Sequence, residues 1–205
     1  MTFTKAPALF LALSLALTLS ACQASPDDTA TTSAESVDTA EPEDTTPLDV
    51  SLPDAVQPGT NEAIAWEALM GADGEYAAAA HYQAVLDAFG DVEPYKTIKA
   101  SEDRHIDALI RQLDRYGVQV PENPYLGILT APADLETAAR EWAVGEMANV
   151  EMYDRLIADA TDDRLIRVLE NLRRASLESH LPAFEAAAEN GGTLDPDQMG
   201  QSNRN

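Results

Sequence analysis

The chain predicts an all-α fold, a four-helix bundle made of two antiparallel helical hairpins joined by a long crossover. Three observations predict it. Apolar residues recur at spacings of three and four over four long segments, the pattern of helices with one buried face. The connections inside the first and second pairs of segments are only a few residues long, while the stretch between the pairs, Gly117 to Ala133, is long and broken by Pro121, Pro124, Gly127 and Pro132. One pattern also occurs twice, about seventy residues apart: Gly74-Glu75 followed by Tyr82, and Gly145-Glu146 followed by Tyr153.

The four helices are preceded by two segments of different character. Residues 1–21 carry an apolar run behind the single Lys5, too short for a stable span, and read as an export signal. Its end, Leu19-Ser20-Ala21-Cys22, resembles a bacterial lipobox, which implies lipidation of Cys22, the only cysteine; an ordinary cleaved leader with a chance Cys is the alternative. Residues 22–60 change to Thr, Ser, Ala, Pro, Asp and Glu, with no Lys or Arg, and are expected to be a disordered acidic linker. A coil of that length spans roughly 35 Å, enough to hold a domain clear of a membrane.

The bundle is expected over residues 61–190, with a disordered tail at 191–205. The first helix reads from Asn61 to Phe89, weakened at Gly71 and Gly74 and stopped by Gly90. The second starts near Pro94 with Asp91 as its cap and ends at Tyr116-Gly117; its stripe runs Ile98, Glu102, His105, Ile106, Leu109, Leu113, Tyr116. The third runs from a capping Asp134 to about Ala160. The fourth runs from a capping Thr161 to Asn190, with its stripe at Leu165, Leu169, Leu172, Ser176, His180, Phe184 and Ala187 and a kink at Pro182. Extended, the crossover reaches roughly 50 Å, the length of a long helix, so it can return the chain to the other end of the bundle.

Acids and histidines interrupt these apolar stripes at Glu75, Glu102, His105, Glu146 and His180. Seven residues is close to two turns, so Glu75 and Tyr82 share a face, as do Glu146 and Tyr153. Glu-x-x-His alone can be a hydrogen-bonded pair at a helix surface. Five such groups on inward stripes are costly to bury unless they hold a metal, because unpaired buried charges cost several kcal/mol. His81, Glu151 and Asp154 lie off these faces and read as peripheral, while Trp66, Trp142 and Phe184 read as core.

Glu75 with Tyr82, Glu102 with His105, Glu146 with Tyr153, and His180 together resemble the carboxylate-bridged site of the ferritin-like superfamily, over about residues 61–187. Within it, the run from Ser101 to Val118 and the later SerHisLeuProAlaPhe are similar to an uncharacterised bacterial ferritin-like domain of unknown function. The resemblance implies the fold and a metal, iron first, as one or two ions, with manganese and zinc as alternatives, but no particular reaction. It also implies that Tyr82 and Tyr153 hydrogen-bond the ligating carboxylates. One departure stands out: the superfamily's sixth ligand falls at Leu177, three before His180, where a Glu would be expected to complete a two-ion site.

A net charge of −23 argues against nucleic acid as a partner and leaves membrane attachment to the lipid on Cys22, facing the periplasm from the outer membrane if the source has two membranes. Two function classes follow. The first is an envelope-anchored redox metalloprotein reacting with oxygen or peroxide, as a ferroxidase or a peroxide scavenger, fed by a separate electron donor because the chain has no paired-cysteine module. The second is a non-catalytic bundle serving as a structural or interaction module of the envelope. Lipidated tails disfavour a large cage and are compatible with a homodimer.

Overall fold

The computed structural model describes residues 50–199; the expected leader, Cys22, most of the expected acidic linker and the end of the expected tail lie outside these residues. The described chain is all-helical, with no strand and one isolated β-bridge between Glu93 and Leu194. Its elements are α1 (Asn61–Met70), α2 (Glu75–Phe89), α3 (Tyr95–Tyr116), α4 (Leu135–Asp159), α5 (Asp163–Ala175), a π-helical turn (Ser176–His180), α6 (Leu181–Glu189) and α7 (Pro196–Met199).

The segment expected as one helix over 61–89 is two. Gly71 donates its amide to Glu67 O at 2.9 Å, and Gly74 then donates to Gly71 O at 2.9 Å, turning the chain between α1 and α2. A Cβ on Gly71 would stand 2.6 Å from Glu67 O and one on Gly74 2.9 Å from Ala68 O, so only glycines fit this close approach. The turn places Glu75 at the first position of α2.

Two expected caps also differ. Asp91 pairs with Lys96 instead of capping α3, and it is Glu93 whose carboxylate accepts from the Thr97 amide at 3.1 Å. At the start of α5 the cap is Asp162, which accepts from Arg164 N at 2.7 Å and Leu165 N at 3.2 Å. Thr161 is engaged elsewhere: its hydroxyl accepts from Asn61 Nδ2 at 3.0 Å and its amide donates to Asn61 Oδ1 at 2.9 Å, tying the start of α1 to the start of α5. Asp134 caps α4 as expected, accepting from Thr137 N at 2.7 Å.

The expected kink at Pro182 takes the form of a π turn just before it. Leu181 N donates to Ser176 O, five residues back, and Pro182 has no amide hydrogen to continue the ladder. The extra residue in this turn shifts register. Ser176 is 2% exposed and Leu177 only half-buried, so the inward position one turn before His180 belongs to Ser176, not Leu177.

The core has two apolar parts. One gathers Trp66, Leu69, Met70, Leu109, Leu113, Leu165, Leu169 and Leu172; the other gathers Tyr82, Val85, Tyr95, Ile98, Ala138, Phe184 and Ala187. On α3 Glu102 falls between Ile98 of one and Leu109 of the other, and after α5 His180 falls between Leu172 and Ala183, so the polar groups form a layer with apolar packing on both sides. Packing also continues past both expected limits of the bundle. Val56 is buried and Val50 and Leu52 lie against the first core part, with Trp66 Nε1 donating to Val50 O at 3.3 Å, while Leu194 closes the second part. Trp142 is half-buried rather than interior, edge-on to Tyr82 and tilted by 55° against a half-buried His81 at 4.5 Å between ring centres. Glu151 and Asp154 are exposed, Asp154 bonding Arg173 at 2.6 Å.

Candidate metal centre

Three helices, α2, α3 and α4, and the π turn contribute the polar layer. Glu75 comes from the start of α2, Glu102 and His105 from one turn of α3, Glu146 from the middle of α4 and His180 from the end of the π turn. Glu75, Glu102 and Glu146 are at most 1% exposed and His180 3%, so burial of this chemistry is nearly complete.

All five residues singled out in the sequence come together. They form two groups that share Glu102. In the first, His105 Nδ1 donates to Glu102 Oε2 at 2.8 Å and lies 3.4 Å from Glu75 Oε2. In the second, His180 Nδ1 lies 3.0 Å from Glu102 Oε1 and 3.4 Å from Glu146 Oε1. One oxygen of Glu102 thus serves each group. Within each, one donor atom per residue lies within 4.8 Å of the others, a separation that a single metal ion can bridge.

The tyrosines cross between the two repeats. Tyr82, from the helix of Glu75, donates to Glu146 Oε1 at 2.6 Å, and Tyr153, from the helix of Glu146, donates to Glu75 Oε1. Each terminal carboxylate therefore has one oxygen held by a phenol and one left over. Glu75 Oε2, Glu102 Oε1, Glu146 Oε2 and His180 Nδ1 are buried with no hydrogen-bond partner. His180 Nδ1 and Glu102 Oε1 are close enough for an ion pair, yet their approach lacks hydrogen-bond direction. Buried polar atoms are almost always bonded. Four exceptions converging in one layer are the signature of atoms aimed at a common third body, and the oxygen and imidazole donors suit a divalent transition metal.

Electrostatics within the layer points the same way. Burial, then the neighbouring Glu102 carboxylate, pushes Glu75 up to about 8. Burial would raise Glu102 too, but the neighbouring Glu75 carboxyl and the positive histidines outweigh it and hold Glu102 well below its ordinary value. Burial alone would lower His105 and His180, yet the adjoining carboxylates raise each to about 10. Tyr82 and Tyr153 are raised well above 10, first by burial and then by the carboxylates, and remain proton donors. Without metal the cluster is thus a proton-charged network, and a cation entering it displaces protons.

Sequence reasoning put Ser176 on the inward stripe, where the structure has it, without giving it a part in this layer, and did not pick out Ser101, whose Oγ lies 3.4 Å from His105 Nε2. For Ser176 a signal was present. The stripe from Leu172 through Ser176 and His180 to Phe184 advances by four three times running, wider than an α-helix sustains, and an extra residue in the turn accounts for it. No family model, no curated protein and no solved structure matches this chain, so what is established is an all-helical protein whose buried Glu and His groups can hold a metal ion.

Proposed function

We propose that the chain is an envelope-anchored, ferritin-like metalloprotein whose centre holds two ions, iron foremost, and reacts with oxygen or peroxide. The observation that carries the two-ion reading is the division of Glu102, one oxygen to the Glu75–His105 group and the other to the Glu146–His180 group. A bound iron pair supplies the electrons and the Lewis acidity for reduction of an oxidant. The chain's own groups do the rest. Glu102 would be shared between the two ions, Glu75 with His105 would hold one and Glu146 with His180 the other, while the phenols of Tyr82 and Tyr153 hold the terminal carboxylates in place. The order of the helices, with the long stretch between α3 and α4, is compatible with two hairpins joined by a crossover, and we read the fold as a ferritin-like four-helix bundle in which α1 with α2 and α5 with α6 each stand for one bundle helix. Export, lipidation at Cys22, membrane tethering and an external electron donor complete the proposal.

Metal per chain, measured after anaerobic loading with ferrous iron, tests it. Wild type is expected to take two ions and to consume peroxide. Glu75→Ala is expected to keep one ion and Glu102→Ala none, since only Glu102 belongs to both groups. Equal loss in the two variants would rule out the shared-carboxylate arrangement. A second reading, a non-catalytic polar core in an envelope module, is favoured by the ion pairs that the five residues make with one another. It predicts no tight metal and a stability unaffected by chelator.

A further inference from the structure

Beside the polar layer lies a cavity of about 240 Å³, between α3 and the π turn. Thr97, Ser101 and Arg104 line it from α3, Ser179 and His180 from the π turn, and Met199 of α7 sits at its margin. At roughly 30 Å³ per water it has room for about eight, which is also room for a small organic or inorganic ion. The cavity touches both imidazoles of the centre, His180 directly and His105 through Ser101. His180 is otherwise sealed in the core, so this opening is the side from which solvent-borne molecules meet it.

The lining has a definite chemistry. Three hydroxyls and one guanidinium face the cavity, and no carboxylate lines it, in a chain of net charge −23. Lys96 and Lys99, on the same helix, pair with Asp91 and Asp103, whereas Arg104 has no ion-pair partner among the described residues. A planar guanidinium with hydroxyl donors around it is built to hold a carboxylate or an oxyanion.

We infer that this cavity binds a small anion, a carboxylate or an oxyanion, held by Arg104 against the hydroxyls with its inner end at the metal centre. The inference rests on the proposed two-ion centre for its consequence. Two divalent ions bring four positive charges, and Glu75, Glu102 and Glu146 supply three negative ones, so an anion entering from the cavity completes the charge and a coordination position.

Azide, a small anion with a charge-transfer band on ferric iron, is the probe. It is titrated into the full chain, into Arg104→Gln and Arg104→Lys, and into Arg111→Gln as control. Arg111 lies seven residues further on, about 10.5 Å along the helix, and does not line the cavity, so its loss removes the same charge from the same face. Metal content is measured first and is expected to be equal in all four. The azide dissociation constant is expected to rise about tenfold in Arg104→Gln, the loss of one charge-assisted hydrogen bond, to rise less in Arg104→Lys, and to stay within about twofold in Arg111→Gln. Equal azide binding in Arg104→Gln and wild type, with metal intact, overturns the inference. If wild type takes no metal, the two-ion reading fails by itself. The cavity is then judged by azide-induced amide shifts at Ser101 and Ser179 in the metal-free chain, which must vanish in Arg104→Gln for the inference to survive.

Discussion

Glu102 is the residue on which the site turns, since its two oxygens face two different histidines from one buried side chain. Around it, three groups hold protons more tightly in the folded chain than they would unfolded. Glu75 moves from 4.5 to about 8, and His105 and His180 from 6.5 to about 10. A raised folded value means stability that is full below the unfolded value and is lost as pH climbs through the folded one. The metal-free protein is therefore expected to melt at a lower temperature at about pH 9 than at about pH 6, since across that window the unfolded chain has lost the Glu75 proton and loses those of both histidines while the fold holds them to higher pH. Glu102, with its lowered value, acts oppositely and matters only in acid. Metal competes with these protons for the same donor atoms, so affinity for added metal is expected to rise over the same window, and calorimetry in buffers of different ionisation enthalpy should register proton release. Identical melting at both pH values in chelator would show that the cluster is not charged as described. Tyr82→Phe and Tyr153→Phe each free one carboxylate oxygen while keeping the ring packing, and are expected to weaken metal binding about 10- to 100-fold with helicity unchanged by circular dichroism.

At the scale of elements, the π turn decides which residues of the last helical stretch look inward. A Glu at 177 was the expected completion of the site, but the turn gives the inward place to Ser176. Ser176→Glu is thus expected to tighten loading of the half that contains His180, and Leu177→Glu to leave stoichiometry unchanged; metal analysis of the pair distinguishes the two registers. Much of this helical organisation was legible in the sequence. The ends of α3 and α4, the capping Asp134 and the stripes of α3 and α5 are local matters of periodicity and capping, and the structure has them where the pattern put them. The break between α1 and α2 was less so. Gly71 and Gly74 read only as weak points within one helix, and it is the approach of Glu67 O and Ala68 O, a feature of the folded turn, that makes the two glycines decisive. The displaced cap at Asp162 has the same origin, because Thr161 is drawn off by Asn61 from a hundred residues away.

Across the whole molecule, the five candidate ligands could be named from sequence because acids and histidines on apolar stripes have few reasons to be there. Their division into two groups around Glu102, and the cavity with Arg104, could not, since both depend on how helices distant in sequence face one another. The apolar parts on either side of the layer carry the fold by themselves. Leu169→Ala, at a fully buried site away from the ligands, is expected to cost about 2–5 kcal/mol in denaturant titrations while leaving metal per chain unchanged. Metal at a hundred times its dissociation constant should in turn add about 2.7 kcal/mol to wild type. The crossed phenols bear on the order in which the molecule comes apart. Tyr82 of α2 reaches the carboxylate of α4, and Tyr153 of α4 reaches the carboxylate of α2, so drawing either helix away abandons both bonds in the same instant. Partial opening at this seam has no halfway state, and the amides in the middle of α2 and α4 should exchange with deuterium at a single shared rate, as one cooperative unit rather than two.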